Sequence, residues 1–259
     1  MSIPLSLGGK VALVTGGSRG IGAATVRMFV RAGARVIFNY QKAQAEAEKL
    51  TRECGSENCA AIACNLEGTE SARDLVAATV RHFGRLDILI VNHGVWPSED
   101  VPIDEMTAAQ WLRTVSINLD SVFALVKYSV REMKRNANSD SLAHIVLISS
   151  TAGQRGEAFH ADYAATKGAI ISMVKGLSTE LAPHHIYVNC VAPGWVDTDM
   201  SRPALDDPAT AKEVLGKIPL GRVATPEEIA APILFLCTPL AGFITGEIFN
   251  VNGGAVLAG

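Results

Sequence analysis

A tyrosine and a lysine four residues apart are the residues of this sequence whose types and spacing most directly permit chemistry. They are Tyr163 and Lys167, in the segment "DYAATKG" at 162–168. On a helix, residues four apart lie one above the other on the same face. A phenol has a pKa of about 10, and a general acid works best with a pKa near the working pH. A nearby ammonium in a poorly hydrated site favours the phenolate, so we expect Lys167 to lower the pKa of Tyr163. The alternative is an exposed helix pair that contributes roughly 0.3 kcal/mol.

A glycine-rich turn near the start of the chain has the composition of a dinucleotide site. The segment "TGGSRGIG" at 15–22 follows an apolar run and begins a helical pattern. Gly16, Gly20 and Gly22 permit a tight turn and the close approach of a pyrophosphate, which free N–H groups and the helix dipole would bind. The spacing differs from the usual Gly-x-Gly-x-x-Gly, so the turn alone also fits a plain strand-to-helix connection.

The end of the second predicted strand bears on the choice of nucleotide. An acidic residue there would bind a ribose 2′-OH and favour NAD, but the segment "FNYQK" at 38–42 has none. Arg19 and Lys42 instead offer two cations that suit a 2′-phosphate. We therefore expect NADP(H), with NAD(H) as the alternative cofactor. Lys42 equally fits an ordinary solvated lysine.

Seven short apolar segments rich in β-branched residues predict strands, and longer helical stretches separate them. The segments are 11–15, 35–40, 60–65, 86–92, 144–150, 186–192 and 248–252. Most are apolar on both faces, which is typical of parallel strands covered by helices. The chain is therefore predicted to be an α/β protein: a single doubly wound Rossmann-type domain over 1–259, with a mainly parallel seven-stranded sheet flanked by helices.

Two capping boxes predict where helices begin. Thr107 with Gln110 begins a long helix, which a polar loop at 135–141 separates from the fifth strand. Thr225 with Glu228 begins another.

An amide interrupts the apolar face of the long helix. Trp111, Val115, Asn118, Val122 and Leu125 step by four and three residues along one stripe. Burying an unpaired amide is costly, so Asn118 must have partners. A core asparagine that fixes the helix register is the alternative to a functional role.

Composition excludes several function classes. The chain has 259 residues, is 48% hydrophobic and has a net charge of −3 without a basic stripe, which argues against a nucleic-acid partner. Its five cysteines lack paired spacing, as expected of reduced thiols in a cytoplasmic protein. Cys54, Cys59 and Cys64 recur every five residues without a nearby histidine, so buried thiols are favoured over a metal site. No signal sequence or membrane-spanning run is evident, which predicts a soluble protein.

With Thr15-Gly16-x-x-x-Gly20-x-Gly22 and Tyr163-x-x-x-Lys167, the chain resembles the short-chain dehydrogenases/reductases over nearly its whole length. It looks most similar to the compact branch that includes 3-oxoacyl-(acyl-carrier-protein) reductases and many carbonyl reductases. Further segments support the resemblance: "SIN" (116–118), "ISSTAG" (148–153), "VAPGWVDTDM" (191–200), "PLGRVATPEEIA" (219–230) and "ITGEIFNVNGG" (244–254).

The resemblance implies a catalytic tetrad of Asn118, Ser150, Tyr163 and Lys167. The family's serine lies thirteen residues before the tyrosine, which selects Ser150 rather than Ser149. Tyr163 would donate a proton to the substrate, and Ser150 would hydrogen-bond the carbonyl oxygen. Lys167 would also hold the nicotinamide ribose, and Asn118 would hold a water of the proton relay. From the residues alone, Ser150 equally fits a strand-end turn serine.

The resemblance also implies a set of cofactor contacts. They are Gly16, Ser18, Arg19, Gly20, Ile21, Gly22, Asn39, Tyr40, Gln41, Lys42, Asn65, Leu66, Asn92, His93, Gly94, Tyr163, Lys167, Pro193, Gly194, Val196 and Thr198. Three positions depart from the family pattern. Asn65 replaces an aspartate, although its carbonyl oxygen can still accept a bond from an adenine amino group. Val91 and His93 replace the first asparagine and the alanine of Asn-Asn-Ala-Gly, and we expect His93 to crowd the cofactor wall.

The family builds its substrate loop at about 195–220 of this chain. Trp96, Trp195, Phe159 and Met200 are the candidate substrate contacts, together with Ser150 and Tyr163. Ordinary packing is the alternative for each aromatic residue.

The predicted function is the NADPH-dependent reduction of a ketone to a secondary alcohol by hydride transfer, with a 3-oxoacyl thioester as the leading substrate. One alternative is an NAD(P)-dependent alcohol dehydrogenase working in the oxidative direction. Another is a non-catalytic nucleotide sensor, which would need neither Tyr163 nor Ser150. The resemblance further implies a homotetramer, and no metal, nucleic acid or membrane partner is expected.

Overall fold

The computed structural model describes residues 5–136 and 142–257. Within these residues one sheet of seven strands has the order β3-β2-β1-β4-β5-β6-β7, and every neighbouring pair is parallel. The strands are β1 (Val11–Val14), β2 (Arg35–Tyr40), β3 (Cys59–Ala63), β4 (Ile88–Val91), β5 (Ala143–Ile148), β6 (Ile186–Pro193) and β7 (Ile248–Val251). All seven strand predictions are confirmed to within two residues at each end.

Helices cover both faces of the sheet. They are α1 (Gly20–Arg31), α2 (Gln44–Cys54), α3 (Thr69–Phe83), α4 (Ala108–Val115), α5 (Ser121–Asn136), α6 (Thr151–Arg155), α7 (Ala161–Leu181), α8 (Arg202–Leu205), α9 (Pro208–Gly216) and α10 (Pro226–Leu236). A π-helical segment, Ser116–Asp120, joins α4 to α5. One face packs against α1, α2 and α10, and the other against α3, α5 and α7. The doubly wound α/β prediction is confirmed.

The strand order reverses beside β1, because its neighbours are β2 and β4. Ligands of such sheets bind outside the carboxyl ends of the strands at this reversal. The ends of β1 and β4 therefore define the crevice in which a nucleotide site is expected.

The two predicted capping boxes differ in outcome. Thr225 and Glu228 form the reciprocal pair and begin α10. Thr107 precedes α4, and its hydroxyl accepts a hydrogen bond from the backbone N–H of Gln110 at 3.1 Å. The Gln110 side chain does not bond back to the Thr107 backbone; it donates to Asp162 instead. Only half of the first box is therefore present.

The predicted long helix is interrupted by the π-helical segment. Asn118, Val122 and Leu125 are buried as the stripe predicts, whereas Trp111 is 39% exposed. The prediction of one continuous stripe is wrong because the wider turn shifts the register between α4 and α5. The loop predicted at 135–141 falls mostly on residues 137–141, outside those described.

Candidate active site

The glycine turn lies at the carboxyl end of β1 and is shaped by its own backbone. Gly16 and Gly20 have φ values of +63° and +53°, which side-chain-bearing residues rarely adopt. A Cβ on Gly22 would overlap the carbonyl oxygen of Gly16. The Asn39 side chain accepts from the Gly16 amide at 2.8 Å and donates to the Cys64 carbonyl at 3.0 Å. Asn39 was expected to contact the cofactor. In the structure its side chain links the glycine turn to the end of β3.

The first turn of α1 fits an anion. The helix begins after Arg19 with no side-chain cap and no acidic residue in its first turn. Its free N–H groups and dipole favour a phosphate at this position. Arg19 is 66% exposed and lies 3.2 Å from Asp199, which also approaches Arg202 at 3.4 Å. The predicted phosphate-binding arginine therefore already has a carboxylate partner.

The end of β4 forms the wall opposite the glycine turn. The Asn92 side chain donates to the carbonyl oxygens of Thr15 (3.1 Å) and Gly16 (3.2 Å), which ties the wall to the turn. A Cβ on Gly94 would lie 3.2 Å from Asn118 Oδ1 and 3.6 Å from Lys167 Nζ. A glycine at this position lets the wall pass close to both polar side chains.

Ser150, Tyr163 and Lys167 meet beside this wall. Ser150 caps α6, where its hydroxyl accepts from the Ala152 amide at 3.1 Å, and it lies near enough to the Tyr163 phenol to lower the pKa of that group. Lys167 Nζ lies 5.6 Å from the centre of the Tyr163 ring and donates to the Ile148 carbonyl at 2.8 Å. Lys167 is only 5% exposed, so an exposed helix pair is ruled out.

The neighbouring serine has a different position. Ser149 is buried, and its hydroxyl donates to the backbone carbonyl of Lys167 at 2.8 Å. It therefore fastens α7 to the end of β5, while Ser150 faces the phenol.

Burial dominates the charge states of the tyrosine and the lysine. Loss of hydration raises the pKa of Tyr163 to about 12; the Ser150 hydrogen bond opposes this shift and the charge of Glu157 adds to it. Burial lowers the pKa of Lys167 to about 8. Lys167 was expected to lower the pKa of Tyr163. This expectation is wrong for the protein without a bound cofactor, because the pKa of Tyr163 is raised. The desolvation cost of a phenolate outweighs the stabilisation that these residues provide.

Asn118 lies in the π-helical segment and is 1% exposed. Its Oδ1 accepts from the Val95 amide at 2.8 Å, and its Nδ2 donates to the Val95 carbonyl at 2.9 Å and to Thr166 at 3.3 Å. The expectation that this buried amide has partners is confirmed. It links the wall after β4 to the helix that carries Tyr163 and Lys167.

Comparison with known proteins gives full-length matches. A family model described as "Enoyl-(Acyl carrier protein) reductase" matches residues 16–256. The 3-oxoacyl-(acyl-carrier-protein) reductase FabG of Vibrio cholerae is 36% identical over 250 residues, which cover 96% of this chain and 98% of that protein. The chain belongs to the short-chain dehydrogenase/reductase family. The resemblance stated from the motifs is thereby confirmed.

Solved structures of other short-chain dehydrogenases/reductases have the same architecture. A glucose/ribitol dehydrogenase from Brucella melitensis superimposes with a TM-score of 0.89 at 34% identity, covering 99% of this chain and 100% of that one. A 3-ketoacyl-(acyl-carrier-protein) reductase from the same organism, complexed with NADH, has a TM-score of 0.88 at 30% identity, covering 97% and 100%.

In this short-chain dehydrogenase/reductase, the segment after β6 lies over the glycine turn. The Gly194 amide donates to Val251 at 3.0 Å, and a Cβ on Gly20 would lie 3.1 Å from Thr198 Cγ2. Val196 is buried and pairs with Ala224. The chain after Pro193 therefore closes the crevice above the turn, as the resemblance implies.

The other predicted cofactor residues occupy different environments. Ser18 and Ile21 are partly exposed on the turn, Gln41, Lys42 and Asn65 are exposed, Leu66 is buried, and Tyr40 packs against the core. Asn65 donates to Glu67 at 3.3 Å. Tyr40, Gln41 and Lys42 lie at the end of β2, and Asn65 and Leu66 follow β3.

The mouth of the site is aromatic. The Trp96 ring stacks on His160, with centroids 4.8 Å apart, and meets Trp195 edge-on at 6.1 Å. Phe159 has a left-handed φ of +64° and, like Met200, is about half exposed. The structure thus brings two of the predicted substrate residues into contact and leaves the other two open to solvent.

Two acidic residues near the tyrosine were missed by the sequence reasoning. Burial raises the pKa of Glu157, and the nearby Trp96 side chain opposes this shift. Asp162 is fully buried; it accepts from Thr114 at 2.7 Å and from the Tyr163 amide at 2.8 Å. An acid in the first turn of a helix was a readable signal for Asp162. The loop position of Glu157 offered none.

The described part of the chain carries neither a metal-binding cluster nor a membrane-spanning helix. There, no three His, Cys, Asp or Glu side chains are grouped so that they could hold a metal ion. None of the helices in residues 5–136 and 142–257 has the length and hydrophobicity needed to span a bilayer. Of the three cysteines predicted to be buried, Cys59 is buried, whereas Cys54 and Cys64 are half-buried.

Proposed function

We propose that this protein is an NADPH-dependent carbonyl reductase that converts a ketone to a secondary alcohol, with 3-oxoacyl thioesters as the leading substrate class. The observation that carries the proposal is the convergence of Ser150 and buried Lys167 on the Tyr163 phenol, beside the glycine turn. The relatives named as 3-oxoacyl-(acyl-carrier-protein) reductases support the substrate class.

The residues present fit a nicotinamide dinucleotide. The glycine turn and the uncapped start of α1 would hold its pyrophosphate. Arg19 and Lys42 would hold a 2′-phosphate, and NAD(H) is the alternative because a relative was solved with NADH. The bound cofactor supplies the hydride. The nicotinamide end of the cofactor would be enclosed by Pro193, Gly194, Val196 and Thr198. The loop at about 195–220 of the single domain would cover the substrate.

The charge states of the chain's own residues suit proton donation to a carbonyl oxygen. With a pKa of about 12, Tyr163 is protonated at neutral pH and ready to donate to a carbonyl oxygen. Ser150 would hydrogen-bond the same oxygen. Lys167, with a pKa of about 8, is mostly charged at pH 7 and would stabilise the phenolate left after proton donation. Asn118 would hold a water through which the proton is replaced. Alcohol oxidation would instead need the disfavoured phenolate at the outset.

The test is NADPH oxidation followed by absorbance with three substrate classes. We expect turnover of 3-oxoacyl thioesters, weaker turnover of simple ketones and none of enoyl thioesters, which the description of the family model makes a necessary control. Tyr163→Phe should lower kcat by about 100-fold or more and leave NADPH affinity nearly unchanged. Tight NADPH binding with no turnover of any carbonyl or alcohol would favour the sensor alternative.

The exposed apolar residues support a homotetramer. Leu112 and Phe123, on α4 and α5, are 63% and 52% exposed, and Phe243 near the carboxyl end of the chain is fully exposed. Large exposed apolar side chains are candidates for association sites. We therefore infer that copies of the chain associate through α4 and α5 and through the region around Phe243. The unpaired thiols agree with a cytoplasmic location.

A further inference from the structure

The His93 side chain points into the protein, away from the crevice wall that it was expected to crowd. Its Nδ1 lies 2.8 Å from the Thr15 hydroxyl, and its Nε2 lies 2.7 Å from the Ser121 hydroxyl. Thr15 follows β1, and Ser121 is the first residue of α5. One imidazole therefore spans from the glycine turn to the helix that follows Asn118.

The hydrogen-bond partners determine which ring nitrogen carries the proton. The Ser121 hydroxyl donates to the Ile117 carbonyl at 2.6 Å, so its oxygen must accept from His93 Nε2–H. The Thr15 oxygen accepts from the Asn92 amide at 3.0 Å, and its one proton can go to the Ile90 carbonyl at 3.3 Å or to Nδ1 at 2.8 Å. The shorter contact favours donation to Nδ1. A neutral ring protonated on Nε2 satisfies both contacts.

The Ser121 hydroxyl takes over a bond that the π-helical turn removes. In an α-helix the Ser121 amide would donate to Ile117, four residues back. Here it donates to Ser116, five residues back. The Ile117 carbonyl accepts the hydroxyl instead, and His93 holds that hydroxyl in place. Asn118 follows Ile117 directly, so it lies in a turn that the His93 ring stabilises through Ser121.

We propose that His93 is a positioning residue, which acts through Ser121 to fix the π-helical turn and thereby the Asn118 amide. The consequence for turnover rests on the proposed function, because Asn118 matters to rate only if the site is catalytic. The effect of His93 on the position of the Asn118 amide does not depend on the proposed function.

Two substitutions of His93 distinguish the contribution of its Nε2 contact from that of its Nδ1 contact. His93→Gln places an amide nitrogen near the position of Nε2, so it keeps the donor to Ser121. His93→Asn places a polar atom near Nδ1 but is too short to reach Ser121. We expect His93→Gln to retain kcat within about threefold. His93→Asn and Ser121→Ala should each lower kcat about tenfold, and combining them should add no further loss. Ser129→Ala is the matched control: Ser129 is buried on the same helix and its hydroxyl has no partner among the described residues, so kcat should not change.

Hydrogen exchange at the Val95 amide reports the position of Asn118 without turnover, because this amide donates to Asn118 Oδ1. Exchange should accelerate about tenfold in His93→Asn and Ser121→Ala and stay near wild type in His93→Gln and Ser129→Ala. Equal exchange in the Gln and Asn variants would overturn the positioning role. A wild-type protein that reduces no carbonyl compound would overturn the proposed function alone, since the exchange pattern would still test His93.

Discussion

Two buried histidines should make the fold sensitive to mild acid. Burial lowers the pKa of His93 to about 4; the charge of Lys167 adds to this shift and the nearby Ile117 backbone opposes it. Burial likewise lowers the pKa of His144 to about 4, with Lys10 adding to the shift and Asp87 opposing it. A histidine in the unfolded chain titrates near about 6.5. The unfolded state therefore takes up protons first as the pH falls.

The sign and the size of the effect follow from this difference. The contribution of each histidine is fully present above pH ~6.5 and is lost progressively down to pH ~4. Between pH ~6.5 and ~5, each histidine costs about 1.6 kcal/mol, because the slope reaches about 1.36 kcal/mol per pH unit only below pH ~6.5. Most carboxylates titrate below this window. Lys167, with a pKa of about 8, changes its contribution only at higher pH. The pair should thus remove about 3 kcal/mol from a total stability of about 5–15 kcal/mol.

Urea unfolding followed by circular dichroism at pH 7.5, 6.5, 5.75 and 5.0 measures this loss. His144→Phe is the informative variant. His144 stacks on Tyr187 with ring centroids 5.7 Å apart, and its Nδ1 has no partner in the described part of the chain. Phenylalanine keeps the stacking and cannot titrate, so the loss between pH 6.5 and 5 should fall by about half. The same pH slope in wild type and His144→Phe would refute the reasoning for this histidine.

Three further predictions concern the cofactor and the assembly. Gly22→Ala should weaken NADPH binding at least tenfold, measured by fluorescence titration, because the new Cβ would overlap the Gly16 carbonyl; unchanged affinity would contradict the role of the turn. Asp199→Asn should raise NADPH affinity about twofold to fivefold and leave NADH affinity unchanged, because it frees Arg19; equal effects on both cofactors would contradict the assignment of Arg19. Phe123→Asp should reduce the mass found by light scattering, and an unchanged tetramer would exclude this face from the interface.

Much of the fold and the membership of the site could be predicted from local patterns. The strands were visible because β-branched apolar runs cannot remain exposed, and their parallel pairing follows from helical stretches between them. The four-residue spacing of Tyr163 and Lys167 was sufficient to place them on one face of α7. Choosing Ser150 over Ser149 needed the family spacing, and the structure puts Ser150 beside the phenol.

Other properties depend on contacts that no local pattern encodes. The upward shift of the Tyr163 pKa arises from burial by several distant elements, so the charge of Lys167 alone gave the wrong direction. The π-helical turn changes the register inside a sequence that looks like one continuous helix. The orientation of His93 depends on hydroxyl partners 78 and 28 residues away along the chain. Glu157 meets Trp96 only because two loops converge.

The adjacent serines at the end of β5 limit which sequence changes β5 can accept during evolution. Ser149 fastens α7 through the Lys167 carbonyl, while Ser150 meets the Tyr163 phenol. Both neighbours of β5 are hydrogen-bonded to it, so its register is fixed from two sides. Inserting or deleting a single residue in β5 would exchange the directions of the two hydroxyls. Changes in chain length should therefore accumulate in the segment around α8 and α9, whereas β5 should vary only by substitution.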